Sequence, residues 1–187
     1  GDGTFGAYSS FQTDTATTVA LDFGDFNGDG LVDLVSVGNG DDAHGHVSIS
    51  LGRGDGTFAA PTSYVADSFL SFAVSVADLN NDGNLDVVSA GDSFVGTAIV
   101  RLGTGNGTLG AATTYAMDGQ SSYGVATVDL NGDGNVDLVT SGGASGDGYI
   151  TVRLGLGSGT FGATSSYLMS TSTTNAGLEL AVGDLNG

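Results

Sequence analysis

Three nine-residue segments of this chain carry oxygen-bearing side chains at a spacing that suits a metal ion. They share the pattern Asp-x-Asn-x-Asp-Gly-x-x-Asp and read DFNGDGLVD from Asp25, DLNNDGNLD from Asp78 and DLNGDGNVD from Asp129. Oxygens at positions 1, 3, 5 and 9 can converge with the carbonyl of position 7 around one ion, and glycine at position 6 permits the positive-φ turn required. Calcium fits best, because it accepts six to eight oxygens in loose geometry whereas magnesium demands a tight octahedron. A fourth copy begins at Asp184 as DLNG.

The residues after position 9 separate these segments from helix-flanked calcium loops. An EF-hand has an acidic ligand at position 12 and a helix after it, but position 12 here is Ser36, Ser89 or Thr140. The continuations LVSV, VVSA and LVTS are typical of β-strands. The pattern therefore predicts strand-to-strand hairpins that hold a metal. The alternative is three plain Asp/Asn/Gly turns, which would crowd three carboxylates into each loop without a counter-charge.

Composition favours an extracellular repeat protein. The 187 residues include 34 glycines and no cysteine, and 21 acidic residues against three arginines give a formal net charge of −18. This charge and the absence of basic patches argue against nucleic-acid binding and against anionic membranes. No apolar stretch reaches the roughly 20 residues of a membrane helix. Since disulfides cannot form, metal ions and sheet packing are expected to hold the fold together.

Alignment on the metal loops shows a repeat of about 52 residues. An alternating strand precedes each loop, as in Val19, Leu21 and Phe23, whose period of two places them on one face. A second strand follows the loop, and a third ends in a glycine-rich turn such as GDGTF. A short fourth strand then runs to an aromatic residue. Four short strands per repeat without helical periodicity describe a propeller blade.

The expected fold class is all-β, with β-propeller-type blades of four antiparallel strands and calcium-binding hairpin loops. About three and a half blades are expected. They are assigned to residues 19–71, 72–122 and 123–177, with partial blades at 1–18 and 178–187.

The calcium loop and the glycine-rich turn, linked in every repeat, resemble the FG-GAP or VCBS repeats found in the β-propeller of integrin α subunits and in many secreted bacterial proteins. The resemblance covers the whole chain. It implies three complete calcium sites and one truncated site, with position 7 ligating through its carbonyl. The implied ligands are Asp25, Asn27, Asp29, Leu31, Asp33, Asp78, Asn80, Asp82, Asn84, Asp86, Asp129, Asn131, Asp133, Asn135, Asp137, Asp184 and Asn186.

The resemblance implies an extracellular module, secreted or at the cell surface, that calcium stabilises for adhesion or for binding a protein or carbohydrate ligand. One alternative is a structural subunit of an extracellular filament or surface assembly built from stacked repeats. Another is the non-catalytic part of a larger secreted enzyme. The chain itself is not expected to be an enzyme, because it has no cysteine, no G-x-S-x-G motif and two histidines in a single loop.

Three and a half blades would leave a sheet edge and an apolar blade face bare. Three solutions are open: the chain is part of a longer one, two copies close a ring, or copies stack head to tail into a fibre. The first is favoured, since both termini fall inside motifs.

Alternation of antiparallel strands predicts that the calcium loops and glycine-rich turns lie at one end of each blade. Ligand binding is expected at the other end, at residues 38–45, 91–96 and 142–148. Arg101 and Arg153 are expected to be outward strand residues paired with carboxylates. His44 and His46 could bind a transition metal with the neighbouring aspartates, although a solvated loop is the favoured interpretation.

Overall fold

The chain forms β-strands throughout the part that the structure describes. The structure is a computed structural model, and it describes residues 10–13, 17–42, 44–67, 70–91, 96–117, 121–144, 147–171 and 180–183. Within these ranges there are twelve strands and no helix, so none that could span a membrane. The strands are β1 (Thr17–Gly24), β2 (Asp33–Asn39), β3 (Gly45–Ser50), β4 (Thr62–Asp67), β5 (Ser71–Ala77), β6 (Asp86–Gly91), β7 (Thr97–Gly103), β8 (Leu109–Ala116), β9 (Ser121–Val128), β10 (Asp137–Ala144), β11 (Asp147–Gly155) and β12 (Phe161–Thr171).

The strands form three antiparallel sheets of four, and in each sheet the spatial order follows the chain order. The first sheet contains β1–β4, the second β5–β8 and the third β9–β12. This confirms the predicted all-β class with four antiparallel strands to a sheet among the described residues. The sheets remain separate and do not close on one another as a barrel. Consecutive strands pair because short connections favour antiparallel neighbours.

The core lies in two apolar layers, each shared by successive sheets. The first layer joins side chains of the first sheet, such as Val35 and Ile49, to Val87 and Ile99 of the second. The second layer joins the second sheet to the third, and its buried members are Leu79, Val88, Ala90, Ala98, Val100, Met117, Val125, Leu138 and Phe161. The central strands β2 and β6 are buried almost throughout. Their runs of small β-branched residues suit strands that are covered on both faces.

The alternating residues of β1 lie on an exposed face. Val19, Leu21 and Phe23 are all exposed, whereas Val74 and Val76 of β5 pack against the first core layer. The two strands hold the same place in their sheets, so the alternation correctly predicts a shared face. The exposure differs because this face of β5 meets the first sheet, while the same face of β1 points away from the second sheet.

The prediction for Arg101 and Arg153 was wrong. Arg101 donates through Nη2 to the carbonyl of Val65 in the preceding sheet at 2.8 Å, and its guanidinium carbon lies 5.2 Å from the Tyr64 ring centroid. Arg153 makes the same contacts with the second sheet, donating to the Ala116 carbonyl at 2.6 Å and lying over the ring of Tyr115. Each arginine also donates to a carbonyl of its own sheet. The two residues therefore link successive sheets instead of pairing with carboxylates.

Candidate metal centres

Each nine-residue loop connects the first strand of a sheet to the second. The loops follow Gly24, Ala77 and Val128 and end where β2, β6 and β10 begin. The glycine-rich turns connect the third and fourth strands, so they lie at the same end of each sheet. The backbone N–H of Gly52 in the first such turn donates to the carboxylate of Asp33, the last loop residue, at 2.7 Å. Loop and turn are thus in direct contact, as antiparallel alternation predicts.

The aspartate at position 1 holds the loop closed. In the first loop Asp25 accepts the N–H of Gly28 and of Gly30, both at 2.8 Å. Asp78 and Asp129 accept the equivalent N–H of the position-6 glycine at 2.8 and 2.9 Å. That glycine has a φ of 80°, 85° or 86° in the three loops, which confirms the predicted positive-φ turn. A residue with a side chain would be strained there.

Positions 3 and 5 are joined to each other by side-chain and backbone hydrogen bonds. In the second loop the Asn80 amide donates to Asp82 Oδ2 at 2.9 Å, and Asn80 Oδ1 accepts the N–H of Asp82 at 3.1 Å. Asp82 Oδ1 then accepts the N–H of Asn84 at position 7, at 2.8 Å. The first and third loops repeat these bonds within 0.1 Å. Three different sequences therefore adopt one loop conformation.

The aspartate at position 9 is completely buried in all three loops. Asp86 accepts two backbone N–H groups, from Leu79 of its own loop at 2.8 Å and from Gly103 of the glycine-rich turn at 2.7 Å. Asp33 and Asp137 are bonded in the same way. A buried N–H without an acceptor is costly, and this carboxylate supplies the acceptor for one N–H of the loop and one of the turn. It therefore links the loop to the turn, in addition to any contact with an ion.

Burial and backbone donors shift the carboxyl pKa values of a loop in opposite directions. The backbone N–H of Asn84 holds the pKa of Asp82 below its ordinary value, as that of Asn135 does for Asp133. Burial raises the pKa of Asp86, and the charges of Asp82 and Asp78 raise it further. The backbone N–H groups of Gly103 and Leu79 offset part of this rise, and a positive charge placed nearby would lower the pKa of Asp86.

The residue at position 2 has a structural role that sequence reasoning missed. The backbone of Leu79 donates to Asp86 of its own loop and accepts the N–H of Gly159 from the next sheet at 3.0 Å. Its side chain is buried in the second core layer. Position 2 is Phe or Leu in the three copies, and this consistently large apolar residue directly after the first aspartate was the available signal.

The oxygen set of each loop fits a calcium ion chemically. Each ionised loop carboxylate keeps at least one lone pair beyond those that accept N–H groups; Asp25, for example, accepts three N–H groups with about four lone-pair sites. In the described part of the chain the loop carboxylates have no cationic side-chain partner, and the ion pair found there joins Asp42 to His46 at 3.0 Å. Among the described residues, no three carboxylate or imidazole groups form a tight cluster. The loop carboxylates are instead held by backbone N–H groups. The other expected metal ligands in each loop are an amide oxygen and a backbone carbonyl oxygen.

Asp184 and Asn186, the truncated fourth site, lie outside the described residues. His46 Nε2 contacts Asp42 Oδ1 at 3.0 Å, and the backbone N–H of His44 donates to the same oxygen at 3.1 Å. This loop therefore brings one histidine side chain and one aspartate together.

The repeat pattern is matched by a known family. The sequence model of the FG-GAP-like repeat matches residues 25–89 and 78–140, which together make up more than half of the chain. Comparison with curated proteins finds no matching sequence. Among solved structures, the chain is similar to a lectin of Agrocybe aegerita, with 21% sequence identity and a TM-score of 0.30. That structure is described as the structural basis of specific recognition of non-reducing terminal N-acetylglucosamine. The alignment covers 81% of this chain and 52% of the lectin chain, so this chain spans about half the length of the lectin. By the match of its repeats, the chain belongs to the FG-GAP-like repeat family.

Proposed function

We propose that this chain is an extracellular binding module whose FG-GAP-like repeats are stabilised by calcium and which recognises a protein or carbohydrate ligand. The observation that supports it best is the recurrence of one loop conformation in all three sheets. Each copy presents three carboxylates, an amide oxygen and a backbone carbonyl at the same nine-residue spacing. One catalytic site would need an asymmetric arrangement, so the proposal includes no enzymatic role.

The residues at positions 1, 3, 5, 7 and 9 of each loop would hold the ion. Calcium, when bound, supplies positive charge to three carboxylates that otherwise repel one another. The protein groups orient those oxygens beforehand, since each carboxylate already accepts backbone N–H groups of its own loop or turn. Position 9 extends this effect into the glycine-rich turn, because Asp86 bonds Gly103 as well as Leu79. Ion binding is thus expected to stiffen the whole end of each sheet.

The ligand is proposed to bind at the end of the sheets opposite the metal loops. There the rings of Phe72 and Tyr123, near the starts of β5 and β9, lie 5.4 Å apart. Asn39 Oδ1 accepts the N–H of Ser71 beside them at 3.2 Å. Aromatic faces next to polar groups suit a sugar ring or a peptide, since both have apolar surfaces and hydrogen-bonding edges.

Thermal unfolding with and without calcium tests the metal part of the proposal. An ion at 100 times its Kd adds about 2.7 kcal/mol per site, so a chelator should lower the midpoint strongly, and elemental analysis should find three ions per chain. A matched control is Asp82→Asn, which should remove one ion while the other loops keep theirs. Equal midpoints with calcium and with chelator would refute the calcium proposal.

Ligand binding is tested separately with the calcium-loaded chain. Glycan arrays and pull-downs against extracellular proteins should find a ligand whose binding is weakened by Phe72→Ala or Tyr123→Ala. Asn106→Ala, in a glycine-rich turn at the metal-loop end, serves as the control and should leave binding unchanged. If the control variant loses binding while both aromatic variants bind normally, the ligand binds at the metal-loop end of the sheets and the proposed ligand site is wrong.

A further inference from the structure

The hydrogen bonds of the first metal loop continue into the second sheet. The carboxylate of Asp33, at position 9, accepts the N–H of Phe26 at 2.9 Å. The carbonyl of Phe26 in turn accepts the N–H of Gly107, in the glycine-rich turn of the second sheet, at 2.8 Å. Phe26 is therefore bonded through its N–H to its own loop and through its carbonyl to the next sheet.

The glycine-rich turn that contains Gly107 is also bonded to the second metal loop. The N–H of Gly103 donates to Oδ1 of Asp86, the position-9 residue of that loop, at 2.7 Å. The turn itself is closed by the N–H of Thr104, which donates to the carbonyl of Thr108 at 3.0 Å. Because the turn is closed in this way, a shift of Gly107 also shifts Gly103. The order of the first loop is thus connected to the position of a carboxylate in the second loop.

The junction between the second and third sheets repeats this series of bonds. Oδ2 of Asp86 accepts the N–H of Leu79 at 2.8 Å, and the carbonyl of Leu79 accepts the N–H of Gly159 at 3.0 Å. In the same turn as Gly159, the N–H of Gly155 donates to Asp137 of the third loop at 2.8 Å. Asp86 therefore has one bond towards the first loop and one bond towards the third.

One series of hydrogen bonds thus runs from Asp33 through Asp86 to Asp137, and it is called the relay. These three carboxylates are completely buried, and Gly107 and Gly159 are buried as well. A buried N–H that loses its acceptor costs free energy, because water cannot replace the lost partner. The members of the relay are therefore expected to become ordered together and not one loop at a time.

We propose that the relay couples the three metal loops, so that a calcium ion in one loop raises the affinity of the adjoining loop for the next ion. This coupling rests on the calcium binding proposed above. An ion orders the carboxylates of its own loop, and the relay then holds the position-9 carboxylate of the adjoining loop in place. The entropic cost of ordering the shared bonds falls on the first ion, which makes binding positively cooperative without a change of fold. Such coupling is reciprocal, and it typically changes an affinity by about 5–150-fold.

The relay predicts a pattern of coupling that neither charge nor global unfolding would produce. Two bound cations repel each other, and charges separated by more than about 8 Å are largely screened at physiological ionic strength. Charge alone therefore gives independent sites or negative cooperativity. Unfolding of the whole chain without calcium would couple every pair of loops alike. The relay joins the first loop to the second and the second to the third, but it connects the first loop to the third only through Asp86.

Three matched variants, each lacking one expected ion, test this pattern by calcium titration calorimetry in physiological salt. Asp29→Asn, Asp82→Asn and Asp133→Asn change the exposed aspartate at position 5, which lies outside the relay. In Asp29→Asn and in Asp133→Asn the two remaining sites adjoin. The second ion should therefore bind about fivefold or more tightly than the first, after correction for the number of free sites. In Asp82→Asn the remaining sites are not adjacent, and this gain should be absent. If the three variants show the same degree of cooperativity, the proposal is wrong.

An amide-to-ester replacement tests the relay itself without altering any expected ion ligand. An ester at Gly107 removes the N–H that bonds Phe26 but adds no side chain, so the positive φ of 83° is kept. An ester at Gly56 is the matched control, because this glycine has the same place in the first turn with a φ of 84° and makes no inter-sheet backbone bond among the described residues. Both esters are introduced into Asp133→Asn, which keeps the first two sites. The ester at Gly107 should lower the gain in affinity of the second ion, and the ester at Gly56 should leave it unchanged.

The outcomes separate the coupling from the calcium sites themselves. Three ions that bind independently to the unsubstituted chain, or a gain in affinity that survives the ester at Gly107, would overturn the coupling and leave the calcium proposal standing. A chain that binds no calcium would refute both. The three aspartate variants decide the question even if the ester at Gly107 prevents folding.

Discussion

Replacing Asp86 by alanine tests whether the position-9 aspartate acts as a structural link or only as an ion ligand. The carboxylate of Asp86 is completely buried and accepts the N–H groups of Leu79 and Gly103. Alanine offers no acceptor to either group. The substitution should therefore destabilise the chain even when no calcium is present. A residue that only binds calcium would matter only when the ion is bound.

The expected size follows from these two hydrogen bonds. A buried N–H that loses its acceptor costs about 1–3 kcal/mol, so two of them cost about 2–6 kcal/mol. The lower half of this interval is expected, because burial raises the pKa of Asp86 and removing the carboxylate also removes that desolvation cost. In a chain of this length, 1 kcal/mol lowers the unfolding midpoint by about 2–4 °C. The change is therefore measurable by calorimetry.

The matched control is Asp82→Ala in the same loop. Asp82 is exposed and accepts the N–H of Asn84, which water can satisfy, so this variant should cost less than about 1 kcal/mol in chelator. In calcium, both variants should unfold at a lower temperature than the unsubstituted chain, because each lacks one of the expected ion ligands. Amide hydrogen exchange of Leu79 and Gly103 should accelerate in Asp86→Ala alone. If the two variants unfold at the same temperature in chelator, the structural role assigned to Asp86 is wrong.

Three further predictions concern pH, an arginine and a glycine. Backbone N–H groups lower the pKa of Asp82 and Asp133 below 3.8 in the folded chain. The stabilisation that these carboxylates contribute is therefore present above pH 3.8 and is lost as the pH falls through the lower folded pKa values. Acid unfolding in chelator, followed by circular dichroism, should show this loss of stability, and the loss should be smaller in a variant with asparagine at both positions. Arg101→Ser should cost about 1.5–3 kcal/mol, since it removes two hydrogen bonds from a charged donor and a cation–π contact, and a stability unchanged in urea unfolding would contradict the linking role. Gly83→Ala should cost about 1–2 kcal/mol from backbone strain alone, because φ is 85° and nothing lies near the added methyl group, whereas Gly183→Ala, with equal space and no positive φ, should be neutral in the same thermal scan.

Local sequence pattern determined the strands, the loops and the turns of this protein. A period of two in β5 and a β-branched run such as that of β6 indicate strands whatever the rest of the chain does. The spacing from Asp78 to Asp86 likewise predicts a closed loop, because its hydrogen bonds join residues at most five apart along most of its length. Such short-range preferences are readable from sequence because the groups involved are neighbours in the chain.

Tertiary structure alone decided which faces and charges meet. Arg101 reaches a carbonyl 36 residues away in another sheet, and the N–H of Leu109 finds a tyrosine hydroxyl 45 residues away. Alternation shows that Leu21 and Val74 lie on the same face of their sheets, but not that one face is covered and the other exposed. Burial of Asp86 was hidden for the same reason, since its second donor comes from a different turn. These contacts depend on how whole sheets stack, and no local pattern encodes the partner.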